Sequence, residues 1–231
     1  MKRKLSVMFA ITIILSSSVC AEVKPIKVLY TSAIIPKDYE SRKECYIRNL
    51  QLLKQYGCDV YVVESCQTGP TFLDEFCDHV CYTQSNDPTA LPSYNEAHSM
   101  AIGLQHFNFD PDEMIIKVTG RYVLEKDEFI SLVRNNLDAD VIARKWDDLI
   151  YEGGVQPDAY TGCFAAKTRC LYGILDNYFK RSSAPYKVGS EFHLYAIEWA
   201  LGDYIVENEN SKKIVYLPKL YDYLSEVCHR R

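Results

Sequence analysis

The sequence has no Gly-x-Ser-x-Gly elbow, no Gly-x-x-x-x-Gly-Lys-Ser/Thr loop and no Gly-x-Gly-x-x-Gly after its first apolar strand. These absences remove serine-hydrolase, P-loop and dinucleotide-binding readings. No basic block interleaved with aromatics occurs, and 26 basic residues face 31 acidic ones, so a nucleic-acid partner is not expected. Cys-x-x-Cys pairs are also missing, which argues against zinc at Cys77-Asp78-His79-Val80-Cys81. The five histidines, His79, His98, His106, His193 and His229, are scattered. Nor is there an internal repeat, a low-complexity stretch or a Gly/Ser linker, so nothing divides the chain into several domains.

Only one run is long and apolar, and it lies at the N-terminus. Lys2, Arg3 and Lys4 precede Leu5 to Leu15, then three serines and Val19-Cys20-Ala21. This is the layout of a secretory signal peptide over residues 1–21, with export of residues 22–231 as one domain. Left uncleaved, residues 5–19 read as a short membrane anchor, although the run falls below the roughly 20 residues that span a hydrocarbon core. Cleavage removes three basic residues and one cysteine, so the formal net charge of −5 becomes −8 and eight cysteines remain. An oxidising destination would favour disulfides among them, with buried thiols as the other reading.

What is abundant is apolar sequence in short runs, 48% of the chain by residue type, alternating with helical patterns as in a doubly wound sheet. Strands are expected at Ile26–Ser32, Asp59–Glu64, His79–Thr83, Met114–Thr119, Ala139–Arg144 and Thr161–Ala166. Helices are expected at Arg42–Tyr56, ended by Gly57, at Thr71–Cys77, Pro92–Gln105, Asp127–Arg134, Thr168–Lys180 and Glu191–Leu201. Ile214 to Arg231 reads as a strand followed by a short aromatic-rich helix. The whole is an α/β domain with a mostly parallel sheet.

Ligands of open α/β sheets bind beyond the carboxyl ends of the strands. Four groups fall there. Lys117-Val118-Thr119-Gly120-Arg121-Tyr122 offers cations, a hydroxyl and a glycine suited to a phosphate, or a tight turn with a solvated arginine. Asn95 and Glu96 open a helix and are either ligand contacts or capping residues. Gln156-Pro157-Asp158-Ala159-Tyr160-Thr161-Gly162-Cys163-Phe164 is a loop with an acid and a hydroxyl that runs into an expected strand, and its Asp158 also reads as a turn residue. Glu191, after Gly189-Ser190, opens an expected helix as a dipole partner or a general base.

Taken together, these groups resemble the nucleotide-sugar glycosyltransferases of the GT-A fold, over about residues 26 to 205. The resemblance rests on Arg42 and Tyr46 of the first helix, Val63-Glu64, Asn95-Glu96, the Lys-x-Thr-Gly-Arg-Tyr run and Thr161-Gly162-Cys163-Phe164. It implies transfer of a sugar from a nucleoside diphosphate donor to an acceptor hydroxyl on a carbohydrate or similar partner. It further implies donor binding by Asn95, Glu96, Lys117, Thr119, Gly120, Arg121 and Tyr122, an acceptor side at Thr161, and Glu191 and Asp158 as catalytic carboxylates. Such enzymes commonly hold Mn²⁺ or Mg²⁺ with an Asp-x-Asp motif after the fourth strand, where this chain has Thr119-Gly120-Arg121. Asp110-Pro111-Asp112 lies at the strand's other end and reads as a turn, which leaves Asp147 and Asp148 as weak metal candidates. The rival expectation is an exported, non-catalytic carbohydrate-binding or degenerate transferase domain.

Overall fold

The computed structural model describes residues 24–144, 149–151, 154–156, 159–182, 185–188, 191–217 and 224–226. Strand β1 (Ile26–Ser32) leads through a 3-10 turn at Pro36–Asp38 into helix α1 (Tyr39–Gln55). Gly57, at φ +70°, takes the left-handed conformation that stops α1. Next come β2 (Cys58–Glu64), a 3-10 turn at Phe72–Glu75, β3 (His79–Tyr82) and α2 (Pro92–Phe107), which ends on left-handed Asn108. The chain continues through β4 (Met114–Thr119), β5 (Tyr122–Leu124), α3 (Glu128–Arg134) and β6 (Val141–Ala143). Then follow β7 (Leu149–Tyr151), β8 (Gly154–Gln156), β9 (Cys163–Lys167) and α4 (Thr168–Arg181). Last are β10 (Pro185–Val188), β11 (Glu191–Leu194), α5 (Ile197–Asn208), β12 (Ile214–Tyr216) and β13 (Leu224–Glu226).

The described residues form a seven-stranded sheet in the order β12-β6-β9-β4-β1-β2-β3. All its pairings are parallel except those of β9, which runs antiparallel to both β4 and β6. Hairpins β10–β11 and β7–β8 and the antiparallel pair β5–β13 stand apart from it.

Side chains alternate across a strand, and the central strands divide accordingly. Val28, Tyr30, Ile116, Val118, Cys163 and Ala165 pack towards the α1 and α3 side. Leu29, Val63, Ile115, Phe164 and Ala166 pack towards α2, α4 and α5. Both faces are therefore covered, which is why the strands read as continuous apolar runs.

Two expectations need correction. Glu191–Leu201 is not one helix: Glu191–Leu194 is strand β11, paired with β10, and the helix starts at Ile197. The residues say why, since Glu191-Phe192-His193-Leu194 alternates polar and apolar with period 2, and the 3.6 period begins only at Ile197. In the tail, Leu224–Glu226 is a strand bound to β5 rather than part of a helix. Residues 218–223 and 227–231 lie outside the described residues, as do the leader of residues 1–21 and its alternative anchor. No helix among the described residues is long and apolar enough to cross a membrane. Cys58, Cys66, Cys77, Cys81, Cys163 and Cys170 are free thiols, most of them buried, and Cys45 Sγ, also buried, donates to the Gly120 carbonyl. Burial pushes the Cys58 thiol up to about 11, opposed by Arg134. Cys228 lies outside the described residues.

Helix α2 rests directly on the sheet at Gly103, where a Cβ would stand 2.5 Å from Val63 Cγ2 and 2.9 Å from Leu29 Cδ1. Gly103→Val is expected to push α2 off β1 and β2 and to destabilise the protein by about 1–3 kcal/mol, as overpacked cores do. Urea unfolding of the variant against wild type measures this.

Candidate functional site

The carboxyl ends of β1, β2 and β4 open into a cavity of about 370 Å³, the position expected for a doubly wound sheet. Its floor is Thr31, Ser32, Thr119 and Gly120. Arg42 and Tyr46 of α1 stand on one side, Asn95, Glu96 and Ser99 of α2 on the other. Ala33, Ile35, Pro88, Ala90 and Pro92 give it apolar wall, and Arg121 faces it from the end of β4.

Its β1–β2 wall is built around a buried carboxylate. Glu64 is fully buried and accepts from Ser32 Oγ at 2.7 Å, from the Ile34 amide at 2.9 Å and from the Cys66 amide at 2.8 Å. One side chain thus shapes the loops that leave both strands. Tyr46 completes the wall, its hydroxyl accepting from the Ala33 amide at 3.2 Å and donating to the Ala33 carbonyl at 3.1 Å. Burial pushes that phenol up to about 12, against the nearby Arg42 charge. Arg42 itself donates to the Ala33 carbonyl at 2.9 Å and pairs with Asp38.

On the opposite wall, Asn95 holds residues 87–90 in place. Its Nδ2 donates to the Asp87 carbonyl at 2.8 Å, and its Oδ1 accepts from the Asp87 amide at 3.0 Å. The Asp87 carboxylate accepts from the Thr89 amide and hydroxyl, which lower its pKa.

Lys117 does not line the cavity. Register pairs it with Leu29 of β1 and Phe164 of β9, on the face covered by α2, and it is fully buried. Its ammonium donates to Glu96 Oε1, to Thr119 Oγ1 and, at 2.9 Å, to the Thr161 carbonyl. Desolvation lowers its pKa, with Glu198 opposing and Arg121 adding to the effect. The expectation of Lys117 as a cation exposed to a diphosphate is thereby corrected: a strand residue on a helix-covered face has no path to the ligand except through Glu96 and Thr119.

Thr161 is also buried, and its hydroxyl donates to Glu198 Oε1 at 2.8 Å. Glu198 occupies the first turn of α5, the place the sequence had suggested for Glu191. Glu191 begins β11 instead. Asp158, Asp147 and Asp148 lie outside the described residues. Tyr122 turns away from the cavity lining: its carbonyl accepts from Asn49 Nδ2 at 2.7 Å and its ring meets Tyr160 edge to face at 5.4 Å. Asn49 and Glu198 were not singled out from the sequence, because nothing in their spacing distinguishes a buried polar partner from a solvated helix residue.

Gly120 serves the protein's own packing. A Cβ there would stand 2.7 Å from the Tyr46 ring and 2.9 Å from the Thr31 carbonyl oxygen, while its amide donates to that carbonyl at 2.8 Å and its own carbonyl accepts from Tyr30. Arg121 follows, its guanidinium 5.2 Å from the Tyr122 ring centre. The Arg121 Nε and Thr31 Oγ1 are buried and have no hydrogen-bond partner among the described residues. Buried polar atoms are seldom left unpaired, so two of them at one cavity point to a polar ligand.

Among the described residues, no cluster of carboxylates, histidines and cysteines suited to a divalent cation stands at the end of β4. Arg121 brings a positive charge there, and Lys117 and Thr119 engage Oε1 of the Glu96 carboxylate. Asp110-Pro111-Asp112 is a turn at the other end of β4, with the Asp112 amide donating to Asp110 Oδ1 at 2.9 Å.

Replacing Glu64 by Gln would turn an NH₂ group towards an amide or hydroxyl donor. Glu64→Gln is expected to cost about 1–3 kcal/mol, the price of a buried unsatisfied donor, and to speed amide exchange at Ile34 and Cys66. Denaturant unfolding and exchange-resolved NMR check both.

No protein-family model matches the chain, and no curated protein matches it. Solved structures do. A glycosyltransferase involved in the glycosylation of the major capsid of PBCV-1 superposes with a TM-score of 0.50 at 12% identity, covering 84% of this chain and 83% of that one. For 4-diphosphocytidyl-2C-methyl-D-erythritol synthase the TM-score is 0.49 at 14% identity, with 85% and 90% covered. At these identities the likeness concerns the fold, and the fold is a GT-A-like α/β domain, a mostly parallel sheet flanked by helices, as the sequence led one to expect.

Proposed function

We propose that the chain is a glycosyltransferase that holds a nucleoside diphosphate sugar in the cavity at the ends of β1, β2 and β4 and passes the sugar to an acceptor hydroxyl. The observation that carries this reading is Arg121, a guanidinium at the end of the central strand, facing the cavity with its Nε unpartnered among the described residues. The volume suits a ligand of nucleotide size. Its apolar wall of Ala33, Ile35, Pro88, Ala90 and Pro92 suits a nucleobase, with Ser32, Ser65 and Asn86 beside it as polar contacts.

As the bond from the anomeric carbon to the diphosphate breaks, negative charge grows on the leaving diphosphate. A cation already in place stabilises that charge more than it stabilises the bound donor. In this reading Arg121 does so without a divalent ion at the end of β4. Asp158 and Glu191 are the carboxylates proposed for the acceptor side. Export through residues 1–21, or anchoring by residues 5–19, belongs to the same proposal, and sequencing the mature N-terminus tests it.

Isothermal titration with UDP-, GDP- and CDP-sugars checks the donor site. Wild type is expected to bind at least one of them equally with and without EDTA. Arg121→Ala should weaken binding about 10- to 100-fold, the worth of a charge-assisted hydrogen bond, and Arg121→Lys should recover part of it. Unchanged affinity in Arg121→Ala removes the assignment. The missing carboxylate pair also favours the rival reading of a non-catalytic binding domain, which binding without transfer to any acceptor would support.

A further inference from the structure

Arg121 and Glu96 face the same cavity with opposite charge, which is an odd lining for an anionic ligand unless the two read different parts of it. Glu96 Oε1 is tied down from below by Lys117 and accepts Thr119 Oγ1 at 2.5 Å. No partner for Oε2 is found among the described residues. Thr31 pairs with Thr119 in the β1–β4 register, so the two hydroxyl-bearing side chains share a face at the cavity floor. Thr31 is 6% exposed and its Oγ1 has no partner among the described residues.

We infer that Glu96, Thr119 and Thr31 form a hydroxyl-reading floor, separate from the anion-binding end at Arg121, and that Lys117 is its positioning residue. The inference rests on the nucleotide-sugar reading above and names the part of the ligand this end takes: a diol. A carboxylate accepts hydrogen bonds, and hydroxyls of a sugar ring or a ribose donate them, whereas phosphate oxygens at neutral pH have none to give. Thr31 Oγ1 adds a group that both donates and accepts. The fully buried Lys117 makes this arrangement compatible with a diphosphate nearby, because the Lys117–Glu96 pair is neutral as a unit and does not repel it. Lys117 thus acts through Glu96, holding one oxygen down so that the other stays turned to the ligand.

Two arms test this. In the ligand-free protein, Lys117→Met strands the Glu96 carboxylate, and Tm is expected to fall by about 6–20 °C. Glu96→Gln combined with Lys117→Met should regain a large part of that loss. A lysine needed only for packing would show no such rescue, and a double variant no more stable than Lys117→Met overturns the positioning role. In the second arm, UDP, GDP and CDP are titrated against their 2′-deoxy counterparts and against the corresponding nucleotide glucoses. If ribose supplies the diol, wild type prefers the ribonucleotide about tenfold, and Glu96→Gln loses most of that preference. If the sugar supplies it, the preference for nucleotide glucose over free nucleotide is the one lost. Wild-type binding that Arg121→Ala weakens but that ignores every hydroxyl overturns the hydroxyl-reading floor alone. Absence of any nucleotide binding overturns it together with the nucleotide reading.

Discussion

A lysine on the covered face of a central strand must find a carboxylate, and this need organises the carboxyl end of the sheet. Lys117 lies between Leu29 and Phe164 in register, under α2, where water does not reach it. An unpaired ammonium there would be costly. Glu96 answers it, which fixes the N-terminal part of α2 over the end of β4. The helix can come that close because Gly103 lets it rest on Val63 and Leu29. The preceding residue of α2, Asn95, pulls residues 87–90 into the cavity wall. One charge placed in the core therefore sets the helix, the loop and the wall.

Strand β9 contributes from the other side. Because it runs antiparallel to β4, its start returns to the end of β4, where the Thr119 amide donates to the Gly162 carbonyl at 2.9 Å and Lys117 reaches the Thr161 carbonyl. The Thr161 hydroxyl then joins this floor to Glu198 on α5. Polar groups from β4, α2, α5 and the residues leading into β9 form one connected network, whose bonds reinforce one another. The cavity floor is anchored to it through Thr119, whereas the β1–β2 wall takes its shape from Glu64.

Much of this was legible in the sequence, for identifiable reasons. β1, β2 and β4 are short apolar runs ended by polar residues, α1 is closed by Gly57 and α2 opened by Pro92, signals that act locally. The grouping of Asn95, Glu96, Thr119, Gly120 and Arg121 about one cavity was legible too, because strand ends in such sheets converge. Side-chain burial was not. Alternation put Lys117 and Thr119 on one face, but it cannot say that α2 will cover that face. Glu191 was misplaced because Ile197 and Leu201 set a helical period that was extended back over the alternating residues of β11. Short pairings such as β5 with β13 depend on contacts about a hundred residues apart and leave no local trace.

The absence of an Asp-x-Asp pair follows from the same buried charge. Thr119 stands at the first position of that motif and gives its hydroxyl to Glu96 at 2.5 Å. An aspartate there would set a second carboxylate against Glu96, and Lys117 alone would have to neutralise both. Arg121 stands at the second position and sets a positive charge at the cavity. Placing a carboxylate at Thr119 would therefore disturb the pairing that already exists, and the Thr-Gly-Arg run and the Lys117–Glu96 pair are best understood as one electrostatic solution. In a chain of formal net charge −5, that pairing sets one negative charge against one buried positive charge, and the Arg121 guanidinium faces the cavity beside it.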